Sequence, residues 1–167
     1  GRLWVSDIDA LVAIDLLSGA VLARYPAPGA RFLNDVATTP DGTILVSDSG
    51  TAQIFALQEG ALSPWLADPL LDSVNGLLAE PDQLIVVTME GRMLAIDYAT
   101  RAITPLAEGL ANADGVVAHG GGYLVSSWPG ELFFVQGASV TRLMDTREAG
   151  DFLNDFERVG DLLVVPH

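Results

Sequence analysis

The sequence predicts an all-β fold, a β-propeller of four-stranded blades, from two recurring motifs and many short apolar runs. In the first motif a turn precedes an apolar strand: GRLWVSD at residues 1–7 returns as GTILVSD at residues 42–48. It returns more loosely as DQLIVVT, GGYLVSS and GDLLVVP, and the corresponding anchor residues are Leu3, Ile44, Leu84, Tyr123 and Leu162. The period of about 40 residues is typical of propeller blades.

A second motif keeps the same period. Each copy is an Asn or Asp followed by Gly or Asp, immediately before a short apolar run. The copies are Asn34-Asp35, Asn75-Gly76, Asp114-Gly115 and Asn154-Asp155. Because two independent motifs recur with the same period, they indicate a structural repeat rather than a chance match.

Turn residues divide each period into four strands. In the copy that begins at Asn34, the predicted strands cover residues 34–38, 43–47, 53–57 and 62–66. Pro-Asp-Gly, Ser-Gly and Glu-Gly sequences separate them, as expected for tight turns. The same division fits residues 75–106 and 114–144, and no segment has the apolar spacing of a helix. The second strand of each copy is apolar at nearly consecutive positions, which predicts burial on both of its faces.

The repeats also predict how the chain is organised. Residues 1–30 supply about three strands, three whole blades follow, and residues 154–166 supply two more strands. A propeller is a closed ring. We therefore expect residues 1–167 to form a single propeller domain, about four blades of a six-bladed parent. The upstream blades and the last part of the final blade would be missing.

Composition excludes several classes of function. The chain has 22 acidic and 8 basic residues and a net charge of −14. Because nucleic acids and anionic membranes are bound by clusters of Lys and Arg, neither partner is expected. There is no cysteine, so thiolate zinc sites and cysteine nucleophiles are excluded. No apolar run approaches the ~20 residues of a membrane-spanning helix.

The Asn/Asp motif predicts a polar site. Equivalent positions of successive blades surround one axis, so Asn34, Asn75, Asp114 and Asn154 should converge at one mouth of a central channel. Carboxylate and amide oxygens suit Ca²⁺, and Mn²⁺, Mg²⁺ and Zn²⁺ also fit. Asn and Asp also cap turns. We favour the axial site for Asn75 with Asp114 and turn capping for Asn154, and we weigh both equally for Asn34.

Three longer segments carry a family resemblance. RFLNDVATTPDGTILVSDSG, VNGLLAEPDQLIVV and ADGVVAHGGGYLVSSWPGELFFV resemble consecutive blades of the senescence-marker-protein/gluconolactonase (regucalcin-like) family. The repeat is also shared with NHL-type and strictosidine-synthase-like propellers. The resemblance covers nearly the whole chain and implies a six-bladed propeller with one divalent metal ion on its axis.

The resemblance also implies roles for residues. Asn75 and Asp114 match two metal ligands of the family, and a Glu ligand would lie upstream of Gly1. Asn34 matches a substrate-contacting Asn. Arg31 is the counterpart of a substrate-binding Arg, although here one more residue separates it from the Asn than in well-known members.

These observations predict a metal-dependent hydrolase of lactones, in which Asp114 is the general base and the substrate is a small molecule. The alternative is a non-catalytic propeller that binds a small ligand or a protein partner. The substrate, the identity of the metal and the oligomeric state stay open. So does the compartment, cytoplasmic or exported, because a signal peptide would lie upstream of Gly1. Asp7 and Asp48, which end the second strand of two copies, are expected to cap turns.

Overall fold

The computed structural model describes residues 1–166 and is all-β, as the sequence predicts. Within these residues 17 strands form three four-stranded sheets, one three-stranded sheet and one two-stranded sheet, all with antiparallel pairing. None of the described residues belongs to a helix of the length and apolarity needed to cross a membrane. The chain divides into two compact units, residues 1–74 and residues 75 onward.

The first unit contains a three-stranded and a four-stranded sheet, each a simple meander. The strands are β1 (Arg2–Asp7), β2 (Ala10–Asp15), β3 (Val21–Pro26), β4 (Leu33–Thr38), β5 (Ile44–Asp48), β6 (Gln53–Gln58) and β7 (Ala61–Ala67). A short 3₁₀ helix at Pro69–Leu71 follows, and the Asp68 side chain caps it by accepting a hydrogen bond from the Leu70 amide at 2.8 Å. The three strands predicted for residues 1–30 are therefore confirmed.

The core of the first unit lies between its two sheets. Leu11 of β2, Val46 of β5 and Phe55 of β6 are completely buried there. Every residue of β5 is buried, which confirms that this strand is covered on both faces. The outer strands are more exposed because each has only one paired neighbour and one face against the core.

The second unit contains two four-stranded sheets and one two-stranded sheet. The strands are β8 (Val74–Ala79), β9 (Gln83–Thr88), β10 (Arg92–Asp97), β11 (Ile103–Glu108), β12 (Ala113–His119), β13 (Gly122–Ser127), β14 (Glu131–Gln136), β15 (Ser139–Asp145), β16 (Glu157–Val159) and β17 (Leu162–Val164). Leu84, Ile85, Val86 and Val87 of β9 are all fully buried, so the continuous apolar run of this repeat again marks a strand covered on both faces.

One boundary differs from the prediction. The sequence places the first strand of the last copy at Asn154, whereas β16 begins at Glu157. Asn154 and Asp155 therefore precede the paired strand, and β16 and β17 have only three residues each.

Candidate functional site

The Asp114-Gly115 motif lies at a β-bulge. In the pairing of β12 with β13, Ala113 lies opposite Ser127, but the next aligned pair is Val116 with Val125. Asp114 and Gly115 therefore share a single partner, Ser126. The Ser126 hydroxyl accepts a hydrogen bond from the Gly115 amide at 2.8 Å. A bulge turns the strand locally and redirects a side chain, here that of Asp114.

The first unit repeats this arrangement at Asn34-Asp35. Leu33 pairs with Asp48 and Val36 with Val46, so two residues of β4 lie opposite Ser47. The Ser47 hydroxyl accepts a hydrogen bond from the Asp35 amide at 2.9 Å. The serine in VSD of β5 and in VSS of β13 was thus a sequence signal for the bulge that our strand assignment overlooked.

Asn75 and Asp114 lie in contact. Asn75 is 4% exposed, and its Nδ2 donates to the Ala113 carbonyl at 3.4 Å. Its side chain is also hydrogen-bonded to the Asp114 carboxylate. Gly76 explains how the strands approach so closely, because a Cβ at this position would lie 2.2 Å from the Asp114 carbonyl oxygen. The structure therefore brings together the two residues that the sequence predicts as metal ligands.

A second carboxylate, that of Asp155, joins this pair. A Cβ added to Gly115 would lie 2.4 Å from Asp155 Oδ1, so the carboxylate fills the space that glycine leaves free. The same Oδ1 accepts a hydrogen bond from the Phe156 amide at 2.8 Å, which fixes the orientation of the side chain. The cluster of Asn75, Asp114 and Asp155 is called the acidic cluster below.

The sequence did not single out Asp155, and for the preceding Asn154 it favoured turn capping over the axial site. In the structure Asn154 donates from Nδ2 to the Pro166 carbonyl at 3.4 Å. The difference of one residue arises because β16 begins only at Glu157, so the alternation of side chains along a regular strand does not extend back to Asn154. The 40-residue spacing alone puts Asn154, not Asp155, in the same series as Asn75 and Asp114, and Gly115 was the signal that a neighbouring side chain needed space.

Electrostatics distinguish the acidic cluster from the rest of this acidic chain. Burial, and secondarily the negative charge of Asp155, raise the pKa of Asp114 to about 6, while the hydrogen bond from Asn75 opposes the shift. The pKa of Asp155 is also raised, mainly by burial of its carboxyl group and further by Glu157. Two neighbouring carboxyl groups that both have raised pKa values favour taking up a positive charge, either a proton or a cation.

Asn34 and Arg31, the predicted substrate-binding residues, belong to the first unit. Asn34 is partly buried, and its Nδ2 donates to Ser49 Oγ at 3.2 Å. The Ser6 hydroxyl donates to the Asn34 carbonyl. The Arg31 side chain is exposed, while its backbone amide donates to Asp48 Oδ2 at 3.1 Å. Their binding roles stay predictions.

Asp48 acts as the expected turn cap. It is fully buried and accepts hydrogen bonds from the backbone amides of Arg31, Phe32 and Gly50 and from the Thr51 hydroxyl. Asp7 differs: it forms a surface ion pair with Arg24 at 2.5 Å.

The acidic cluster offers only oxygen donors. No group of three or more His, Asp or Glu side chains suited to holding a metal ion occurs within residues 1–166. Asn75, Asp114 and Asp155 together provide two carboxylates and one amide. Such hard ligands match Ca²⁺, Mg²⁺ or Mn²⁺ better than softer metals. A divalent cation would also offset the repulsion between the two carboxylates, so the residues fit such an ion.

Solved structures with the same arrangement of strands are β-propellers. The chain is similar to virginiamycin B lyase from Staphylococcus aureus, with a TM-score of 0.73 and 15% identity over 96% of this chain and 57% of that one. A streptogramin B lyase structure gives a TM-score of 0.72 and 14% identity over 93% of this chain and 55% of that one. The computationally designed Ika4 protein gives 0.61 and 8% identity over 86% of each chain.

These likenesses confirm the predicted all-β propeller fold. They do not extend to function, because at such low identity a shared fold is compatible with unrelated chemistry. The chain spans a little over half the length of the two lyases. No protein-family model matches the sequence. No curated protein matches it either.

Proposed function

We propose that this chain contributes the oxygen ligands of a divalent-metal site in a β-propeller hydrolase that opens lactones. Asn75 and Asp114 are the proposed ligands, Asp155 is an added oxygen donor, and Asp114 is the general base. The resemblance to the senescence-marker-protein/gluconolactonase family supports this substrate class. The lyase names of two structural neighbours support an enzyme more generally.

The contact between Asn75 and Asp114 is the observation that carries the proposal. The buried amide and the partly buried carboxylate come from two different sheets, and Gly76 makes their close approach possible. A residue pair used only to cap turns would bond to its own loop. This pair bonds across β8 and β12 instead, as expected for groups assembled around a ligand.

The residues would divide the chemistry as follows. A bound divalent cation supplies Lewis acidity to the ester carbonyl. The Asp114 carboxylate accepts a proton from the attacking water, whose oxygen bonds to the carbonyl carbon. The bond to the ring oxygen then breaks, and that oxygen takes the proton from Asp114, leaving a hydroxy acid.

Asn34 and Arg31 are proposed to contact the substrate. An amide and a guanidinium are donors that would bind the hydroxyl and carbonyl oxygens of a sugar-like lactone. Asn34 is already hydrogen-bonded to Ser49. Because the Arg31 side chain is exposed, we expect a smaller loss of activity from Arg31→Ala than from Asp114→Ala.

Calcium and manganese titrations test the proposal. We expect Asp114→Ala to abolish calorimetric binding of both ions and metal-dependent hydrolysis of glucono-δ-lactone. Glu148→Ala removes one exposed carboxylate elsewhere in the same unit and should leave both unchanged. Equal metal affinity of the two variants would contradict the proposed site.

A binding propeller without catalysis is the second candidate. It is favoured by the absence, among residues 1–166, of a group of three acidic or histidine metal ligands. Metal binding that depends on Asp114, without hydrolysis of any lactone in the longer protein that carries these blades, would support this candidate over the hydrolase.

A further inference from the structure

A second polar site lies at the other end of β12. A cavity of about 400 Å³ opens beside the hairpin between β12 and β13. Its lining includes Glu80, His119, Gly120–Gly122, Tyr123 and Arg158. His119 is five residues after Asp114 on the same strand, which corresponds to a separation of about 16 Å. The cavity is therefore distinct from the acidic cluster.

The acidic group that lines this cavity, the Glu80 carboxylate, already accepts hydrogen bonds from the protein. Tyr123 donates its hydroxyl to Glu80 Oε1 at 3.0 Å, and Gln83 donates from Nε2 to Oε2 at 2.8 Å. Burial, together with Glu80, raises the pKa of Tyr123 to about 12, so the phenol stays protonated near neutral pH. Each oxygen of the Glu80 carboxylate thus has a protein donor.

The remaining polar side chains are donors. Arg158 carries a permanent positive charge, and His119 can donate from its imidazole. Gly120 and Gly121 form the two-residue turn between His119 and Gly122, with φ values of +57° and +78°. These left-handed conformations favour glycine, and the missing side chains leave the cavity open on that side.

An apolar depression adjoins the cavity. Its volume is about 220 Å³, and it shares His119 and Arg158 with the polar cavity. Leu124, Leu162 and Leu163 form its apolar lining, and Asp161 completes it. The two volumes together offer one cationic centre between a polar space and an apolar one, within the usual size range of small-ligand sites.

We propose that these adjoining cavities bind a small organic carboxylate that bears an apolar group. Arg158 would pair with the carboxylate, since guanidinium and carboxylate form two parallel hydrogen bonds. His119 would add a further donor, and the apolar group would cover Leu124 and Leu163. Arg158 and His119 line both cavities, whereas Asp161 lines only the apolar depression, and Glu80 lines only the polar cavity, where Tyr123 and Gln83 already donate to its oxygens.

Benzoate is a suitable probe, with benzyl alcohol as its neutral counterpart and acetate as the carboxylate without an apolar group. Calorimetry at constant ionic strength should show that benzoate binds more tightly than either of the other two. Arg158→Gln should weaken benzoate binding about tenfold, the loss expected for one charged hydrogen-bonded pair. Arg142→Gln removes the same charge from another exposed strand of this unit and should leave the affinity unchanged.

Two further results complete the test. Asp114→Asn should not alter benzoate binding, because the acidic cluster lies at the other end of β12. Circular dichroism should show that Arg158→Gln keeps the β-sheet fold, since Arg158 is exposed. The proposal is overturned if benzoate does not bind at millimolar concentration, if benzyl alcohol binds equally well, or if Arg158→Gln and Arg142→Gln weaken binding alike.

Discussion

The Asn34-Asp35 bulge of the first unit and the Asp114-Gly115 bulge of the second share a backbone arrangement but differ in both residues, and the second residue makes the larger difference. In both, a serine hydroxyl from the next strand accepts the amide hydrogen of the second bulge residue: Ser47 for Asp35 and Ser126 for Gly115. In the first unit that second residue carries its own carboxylate, which accepts a hydrogen bond from the Val36 amide at 2.6 Å.

Gly115 instead leaves the space into which a neighbouring carboxylate fits. Asp155 fills it and makes the same local bond, from the Phe156 amide to its own Oδ1, that Asp35 makes to Val36. The bulge is therefore a property of the blade, while the residue after the Asn or Asp decides whether a second acidic group can join. The acidic cluster thus depends on glycine at position 115.

The largest expected effect comes from adding a methyl group where strands meet. Gly76→Ala places a Cβ 2.2 Å from the Asp114 carbonyl oxygen, and backbone must shift to relieve the clash. We expect a loss of about 3 kcal/mol in the free energy of unfolding, measured with urea. Asp35→Ala, at the corresponding position of the first unit, already has room for a Cβ and should cost clearly less. Equal losses would show that the close approach of β8 and β12 does not require glycine at position 76.

Replacing the serine of each bulge with Ala should lower the free energy of unfolding by a smaller amount, similar for the two serines. Ser126 and Ser47 are almost fully buried, so replacing either with Ala leaves a bulge amide without its acceptor. We expect each substitution to lower the free energy of unfolding by about 1–2 kcal/mol. Urea denaturation of both variants checks this. A loss at only one serine would show that the two bulges are not equivalent.

The pH dependence of stability should differ between the protein and Asp114→Asn. The folded-state pKa of Asp114, about 6, exceeds its ordinary value of 3.8. Protonated Asp114 therefore favours the folded state at low pH, and this contribution is lost as pH rises from about 4 through 6. Relative to the unsubstituted protein, the Asp114→Asn variant should gain free energy of unfolding between about pH 4 and 6. Above that range the difference between the two proteins should stay constant. A stability difference that is flat between pH 4 and 7 would contradict the assignment.

The smallest effect is expected at Arg31. Its side chain is exposed, and only its backbone amide bonds to Asp48. Arg31→Ala should change the free energy of unfolding by less than about 0.5 kcal/mol. Asp48→Ala removes the acceptor for Arg31, Phe32 and Gly50 and should cost considerably more. Thermal unfolding of both variants separates side-chain from backbone roles in this loop.

Most of the fold could be predicted from the 40-residue periodicity of the sequence. The recurring strand motif predicted the four-stranded sheets and the burial of β5 and β9, because apolar runs of that length need cover on both faces. It also placed Asn75 and Asp114 at matching positions of adjacent copies. What it missed depends on local geometry: β16 begins only at Glu157, so Asp155 rather than Asn154 lies beside Gly115.

The cavity at His119 escaped the sequence for a different reason. Its lining residues come from three separated segments, at Glu80, His119–Tyr123 and Arg158, and no spacing rule relates them. The glycine run after His119 is typical of a hairpin turn, but only the packing of β16 near that turn brings in Arg158.

The titration of Asp114 beside Asp155 tests most directly whether the acidic cluster forms. Carbon-detected NMR of the side-chain carboxyl groups should give Asp114 a pKa near 6, and Asp155→Asn should lower it. It should stay above 3.8, because burial is the larger cause of the shift. A pKa near 3.8 that does not respond to Asp155→Asn would show that the acidic cluster does not form.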